Sequence, residues 1–323
     1  MIVAVIDSGV ADHSDLSGSV LPGKDFTDPA GSGRTDIDGH GTAMAGEIAA
    51  HGRDESGALG IAPDAKILPV RVLTRGKFKG DLGSAVSWAV AHGAKVINIS
   101  LGGGITSNMF TALKAAEEAN VVVVASAGNL PDDRRITAPA FVPSVLAVGA
   151  VDRGGNRDAI STTGSALDLM APGTDIMSLG LNNGYKAATG TSDSSAIVAG
   201  AAALIRSKYP ELSAREVVDR LESTAVDKGA PGVDPEYGHG VVDIIAALSV
   251  GTSATTDQPS ANPSTGANNP PAGSSPFATS RAVAPTTRSM GSSSLLFGSA
   301  TVLAILGGLA AFLILRRRRS RSD

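Results

Sequence analysis

Four short runs, residues 2–6, 65–72, 96–100 and 121–126, are mostly apolar and often β-branched, without a regular alternation of apolar and polar residues. Continuous hydrophobicity of that kind suits strands covered on both faces, the environment of a parallel sheet. Helical patterns separate several of these runs: 82–92, closed by Gly93, and 108–119, closed by Asn120, both residues that readily take the left-handed conformation after a helix. Parallel strands joined by helices require crossover connections, so the pattern predicts a three-layer α/β domain with a central, mostly parallel sheet. Strands at 145–151 and 168–171 and an Ala-rich helix over 192–209 continue it. Ser213-Ala214-Arg215-Glu216 is a capping box opening a helix to about 223. No repeat of solenoid period occurs, and residues 1–250 read as one domain.

The remainder of the 323 residues is of a different character. Residues 251–294 are rich in Ser, Thr, Pro, Ala, Gly and Asn, with Phe277 as the sole aromatic, a composition that cannot offset the entropy of ordering and reads as a disordered linker. Residues 295–315 contain no charge over 21 positions. As a helix they span roughly 30 Å, the thickness of a bilayer's hydrocarbon. They are expected to form a transmembrane helix; as a buried core helix they would need a further domain, and only eight residues follow. Arg316 to Arg319 and Arg321 make 316–323 a basic tail, which the positive-inside rule assigns to the cytoplasm, with the domain outside the cell.

Residues 251–323 carry seven Arg against Asp257 and Asp323, a net of +5; with the whole chain at −4, residues 1–250 stand near −9. An acidic domain with no basic stripe speaks against a nucleic-acid partner. Cys is absent, which excludes thiol chemistry and disulfide staples. Met1 opens directly on an apolar run without the parts of an export signal. The favoured explanation is a chain that begins upstream of Met1; the alternative is a tail-anchored protein whose domain stays in the cytoplasm.

Three distant segments carry the residue types of acyl-transfer chemistry: Val3-Ala4-Val5-Ile6-Asp7-Ser8-Gly9, Asp38-Gly39-His40-Gly41-Thr42 and Gly190-Thr191-Ser192. A nucleophilic Ser, a His to accept its proton and a buried Asp to orient the imidazole form one device. Taken singly, each has a plain structural explanation. Asp7 is a turn or capping Asp before Gly9, and Ser192 is an ordinary helix N-cap. Their company argues otherwise. Asp7 follows its strand directly, where sites gather in parallel sheets. His40 lies between glycines before a helical stretch, 42–50. Ser192 opens the long helix, so its N–H and the helix dipole favour an oxyanion there. His13, His51, His92 and His239 are read as surface or packing residues, and none is spaced as a zinc ligand. Arg53-Asp54-Glu55-Ser56-Gly57 offers carboxylates without the regular spacing of an EF-hand, which leaves calcium open; the expectation is no metal, and no cofactor.

These motifs resemble those of the subtilisin-like serine proteases, in which the order is likewise Asp, His, Ser. Similarity runs from Ile2 to about Leu248 and includes Asn98-Ile99-Ser100-Leu101-Gly102-Gly103, Pro143-Ser144-Val145-Leu146-Ala147-Val148-Gly149-Ala150-Val151 and Met170-Ala171-Pro172-Gly173. The resemblance implies that Asn129 donates its side-chain amide to the oxyanion. It also implies that Ser100-Leu101-Gly102 and Ser126-Ala127-Gly128 line the primary pocket and pair with the backbone of a polypeptide substrate by β-augmentation. The tether, membrane helix and Arg tail resemble the mycosins, membrane-anchored members associated with type VII secretion, which implies secretion-complex partners.

Departures from the family pattern are informative. Relatives usually have Met after the Ser and a Pro-His pair a few residues on, where this chain has Asp193, Ala196 and Ile197; Ala43 replaces a frequent second His. A carboxylate at 193 turned inward would oppose the oxyanion, so Asp193 is expected to point away. The leading expectation is a membrane-anchored serine endopeptidase. The alternatives are a tethered structural component whose proteolysis is dispensable, and a truncated product that folds poorly.

Overall fold

Along the chain, strand β1 (Ile2–Asp7) is followed by β2 (Lys24–Asp25), helix α1 (His40–Ala49), β3 (Lys66–Arg71) and the small hairpin β4 (Leu73–Thr74) and β5 (Lys77–Phe78). Then come α2 (Leu82–Ala91), β6 (Val96–Ile99), α3 (Ser107–Glu118), β7 (Val122–Ser126), β8 (Leu146–Val151) and β9 (Leu169–Pro172). A hairpin of β10 (Ile176–Leu179) and β11 (Tyr185–Ala188) precedes α4 (Thr191–Lys208), α5 (Ala214–Ser223) and α6 (Ile244–Ser249). This computed structural model describes residues 1–52, 57–103 and 106–249. The linker, membrane helix and basic tail expected at 251–323 lie outside the described residues. Among those described, no helix is long and apolar enough to cross a membrane.

The main sheet has the order β2-β3-β1-β6-β7-β8-β9, with every pairing parallel. Its layering follows from side-chain alternation along each strand. In β1, Val3 and Val5 join the core with Ile48 of α1 and Ala199 and Ile205 of α4, while Ala4 and Ile6 join that of Ala85 and Ala89 of α2 and Leu113 of α3. β7 divides the same way, Val122 and Val124 against Val123 and Ala125. This is the expected α/β arrangement with a central parallel sheet. α4 is buried almost all round, and its run of Ala and Gly lets it lie close across β6 to β9.

Strand and helix ends differ from expectation by a residue or two, within the fraying of such boundaries. Gly93 and Asn120 take positive φ, +83° and +59°, after their helices, and the Ser213–Glu216 capping box forms. One difference matters for the site. α1 begins at His40 itself rather than at 42, because Gly39 adopts φ 77° and turns the chain into the helix. β2 and both hairpins have no counterpart in the sequence reading, since strands of two to four residues lack a long apolar run, and α6, at six residues, is too short to show a helical period. The β10–β11 hairpin turns through Asn182 and Asn183, both at positive φ, and Ser178 Oγ ties it to α1 by donating to the Ala43 carbonyl at 2.7 Å.

Candidate active site

β1 carries Asp7 to the carboxyl end of the sheet and buries it completely. The Ser8 N–H donates to Asp7 Oδ1 at 2.7 Å, and the Ser8 hydroxyl in turn accepts from the Gly41 N–H at 2.9 Å. Asp36 clamps the start of α1, accepting from Gly39 N at 2.9 Å, Thr42 N at 3.0 Å and Thr42 Oγ1 at 2.7 Å. Gly41 makes this approach sterically feasible: a Cβ there would stand 2.1 Å from the Gly9 carbonyl oxygen and 3.0 Å from Asp7 Cβ. His40 Nδ1 consequently lies 2.8 and 2.9 Å from the two Asp7 oxygens. A proton on Nδ1 shared with that carboxylate leaves the Nε2 lone pair available.

The charge of Asp7 raises the His40 pKa above its ordinary 6.5, against burial and Lys186, which lower it; Asp193 adds to the rise. The imidazolium is thus favoured by folding. Its stabilisation is full below the unfolded value, about 6.5, and is lost as pH rises through the higher folded value. A general base must be neutral, so the sign for activity is opposite. Across that window kcat/KM is expected to rise with pH while this contribution to thermal stability declines. Parallel melts and pH–rate profiles check the pair of slopes, and an acid limb below 6.5 contradicts the geometry.

Ser192 is the second residue of α4, and a buried network anchors that turn to the end of β6. Asn98 Nδ2 donates to Ser100 Oγ at 2.9 Å; Ser100 Oγ donates to the Ser192 carbonyl at 3.1 Å and lies 2.8 Å from Ser195 Oγ, which also donates to that carbonyl at 2.9 Å. The Ser192 hydroxyl makes a single long hydrogen bond among the described residues, to the Ser100 carbonyl at 3.4 Å. Asp7 and His40 are therefore joined directly, whereas Ser192 is not hydrogen-bonded to His40.

Asn129 follows Gly128, whose φ is +107°. Its Oδ1 accepts from Thr191 N at 3.0 Å and Thr191 Oγ1 at 3.1 Å, which fixes the amide and leaves Nδ2 as the free donor. A Cβ built on Gly190 would sit 3.6 Å from that Nδ2 and 3.7 Å from Ser192 N. Two donors thus border one small space that glycine leaves open, the arrangement that stabilises a developing oxyanion. Asn129→Ala is expected to lower kcat about 10²- to 10³-fold with little change in KM, measured by steady-state kinetics.

Ser100-Leu101-Gly102 and Ser126-Ala127-Gly128 emerge from the ends of adjacent strands β6 and β7. They differ in what they offer. Ala127 N donates to the Val148 carbonyl at 2.9 Å and Gly128 N to Thr191 Oγ1 at 3.2 Å. Among the described residues, Leu101 and Gly102 have no backbone hydrogen bonds, so their N–H and C=O groups form the open edge. Ser100, expected at the pocket, is 4% exposed, and its hydroxyl belongs to the α4 anchor.

Asp193 does not turn out to solvent. It is 2% exposed, and its Oδ2 would lie 3.2 Å from the Cβ built on Gly190. It is within hydrogen-bond reach of Glu47 on α1, and burial raises its pKa against the opposing charge of His40. Glu47 was missed from sequence, although it lies seven residues after His40 and so on the same helix face. Asp36, Thr191 and Ser195, also missed, hydrogen-bond the start of α1, the Asn129 amide and the Ser192 carbonyl respectively. His13 packs edge-on against Tyr185, His92 stacks on Trp88, His51 is exposed and His239 lies 3.8 Å from Glu222. Among the described residues, which leave out 53–56, no group of three or more His, Asp or Glu side chains could hold a metal ion.

The sequence model of Peptidase S8, the subtilase family, matches residues 1–240. The chain is 42% identical over 256 residues to subtilisin DY of Bacillus licheniformis, covering 76% of this chain and 89% of that one. It is 40% identical over 253 residues to subtilisin E of Bacillus subtilis, covering 76% of this chain and 65% of that one. Among solved structures it is similar to MycP1 with its N-terminal propeptide removed, with TM-score 0.69 and 32% identity over 80% of this chain and 92% of that one. It is also similar to the MycP3 protease from the type VII (ESX-3) secretion system, with TM-score 0.65 and 34% identity over 76% and 82%.

Proposed function

The chain belongs to the subtilase family and is a serine endopeptidase, and from that premise we propose that Asp7, His40 and Ser192 are its catalytic triad and Asn129 its oxyanion donor. The observation that carries the reading is the meeting of Asp7 and His40, 33 residues apart, at 2.8 and 2.9 Å. Ser192 Oγ attacks the scissile carbonyl carbon as His40 Nε2 takes its proton, and Asp7 stabilises the imidazolium. The carbonyl oxygen becomes an oxyanion in the space bordered by Asn129 Nδ2 and Ser192 N. His40 returns the proton to the leaving amine, and water then releases the acyl group from Ser192. The Ser192–His40 hydrogen bond forms on substrate binding, as such contacts often tighten only in the complex. Backbone of the substrate pairs with Leu101 and Gly102.

The proposal extends to setting. Residues 295–315 anchor the protein as a single-pass membrane helix with the Arg tail in the cytoplasm and the domain outside, supported by 21 uncharged residues followed by an Arg cluster. A role on or within a type VII secretion system is supported by similarity to the MycP1 and MycP3 structures. A membrane-impermeant fluorophosphonate probe tests both parts. Labelling of Ser192 on intact cells is expected. Labelling only after lysis overturns the topology, and no labelling of the folded protein overturns the triad. The second reading, a tethered structural component, is favoured by the engagement of Ser192 Oγ with the Ser100 carbonyl; full secretion by cells carrying only Ser192→Ala would select it.

A further inference from the structure

Two carboxyl groups meet in the interior beside the candidate triad. Glu47, on the helix that begins with His40, is 6% exposed; Asp193, on the helix that carries Ser192 in its first turn, is 2% exposed. Neither Glu47 oxygen nor Asp193 Oδ1 receives a hydrogen bond from any N–H or hydroxyl among the described residues. The neighbouring Ser178 hydroxyl donates instead to the Ala43 carbonyl. The charged groups acting on the pair are His40 of α1 and Lys186 of β11.

Buried acceptors without donors are costly, and two ionised carboxylates in contact repel strongly. One proton held between the two groups removes both penalties. It converts an acceptor–acceptor clash into a hydrogen bond and leaves the pair a single negative charge. Burial and the facing Asp193 carboxylate both push the Glu47 carboxyl well above the usual range, so Glu47 is the member that holds the proton.

We propose that Glu47 is a positioning residue, holding a proton shared with Asp193 that ties α1 to α4 and so sets His40 against Ser192. The proposal rests on the triad reading for its effect on catalysis, but not for the proton itself. Loss of the proton leaves two buried negative charges, pushes α1 and the first turn of α4 apart and adds a charge next to Asp193, whose Oδ2 faces the space bordered by the Asn129 and Ser192 donors, opposing the oxyanion. It therefore imposes an alkaline limb on kcat/KM, falling about tenfold per pH unit once the proton is lost.

Two readouts test this. In Glu47→Gln the amide donates permanently to Asp193, so the alkaline limb of kcat/KM disappears; Asp193→Asn, with its amide donating to Glu47, removes it as well. A limb unchanged in both variants overturns the proposal. The second readout needs no activity and uses the full-length Ser192→Ala protein. Its infrared spectrum at neutral pH contains a protonated-carboxyl carbonyl band, and the difference spectrum against Ser192→Ala/Glu47→Gln shows that band lost. Absence of the band from the difference spectrum overturns the shared proton, whereas its presence in a protein whose parent proves inactive refutes the triad reading alone.

Discussion

Ser192→Ala lowers kcat/KM on a peptide substrate by about 10⁶-fold while leaving the melting temperature close to that of the parent chain. The first half follows from the proposed chemistry: without Oγ there is no acyl-enzyme, and what remains is water attacking a carbonyl held beside two donors. That remainder stays about 10³- to 10⁴-fold above the uncatalysed reaction, because Asn129 Nδ2 and Ser192 N keep their places. The second half follows from the structure. The hydroxyl makes one bond of 3.4 Å, at the weak end of the range, so its removal costs less than about 1 kcal/mol. His40→Ala should lose about as much activity, and the double variant scarcely more, since base and nucleophile act as one unit. Additive losses, or a Ser192→Ala protein retaining as much as about 1% of parental turnover, place the nucleophile elsewhere.

Asp7→Asn is the second large effect, about 10⁴-fold in kcat, and its cause is a tautomer rather than a missing contact. Asp7 Oδ1 already accepts from the Ser8 N–H at 2.7 Å as well as from His40. An asparagine oxygen satisfies the Ser8 N–H, which turns the amide NH₂ toward the imidazole. Nδ1 must then accept rather than donate, the ring proton moves to Nε2, and the base can no longer take the Ser192 proton. The charge that raises the His40 pKa disappears too, so the acid limb of the residual activity moves to lower pH. Kinetics across pH check both parts. A loss of less than about tenfold with an unmoved limb leaves Asp7 without the proposed role.

The α/β class was legible because it rests on one-dimensional quantities: mostly apolar runs such as 2–6 and 121–126, helical periodicity between them, and Gly93 and Asn120 where helices must end. The short hairpins were not, because pairing over two to four residues is decided by what they pack on; β10–β11 forms against α1. At the site the same division holds. Asp7, His40, Ser192 and Asn129 stand out as residue types in recognisable local settings. Glu47 does not, since a Glu in a helix is ordinarily a solvated side chain, whereas α1 is buried from Gly41 to Ala49.

By itself, then, the sequence determined the residue types, their local conformations and their places at strand ends and helix starts, all matters of neighbours along the chain. Tertiary structure alone decided which of them meet: Asp7 with His40, Asn129 with Thr191 across 62 residues, the Ser192 turn with Ser100 across 92, and Glu47 with Asp193. Those meetings depend on how closely α1 and α4 pack on the sheet. That distance is set by the combined burial of both cores and is written in no single segment.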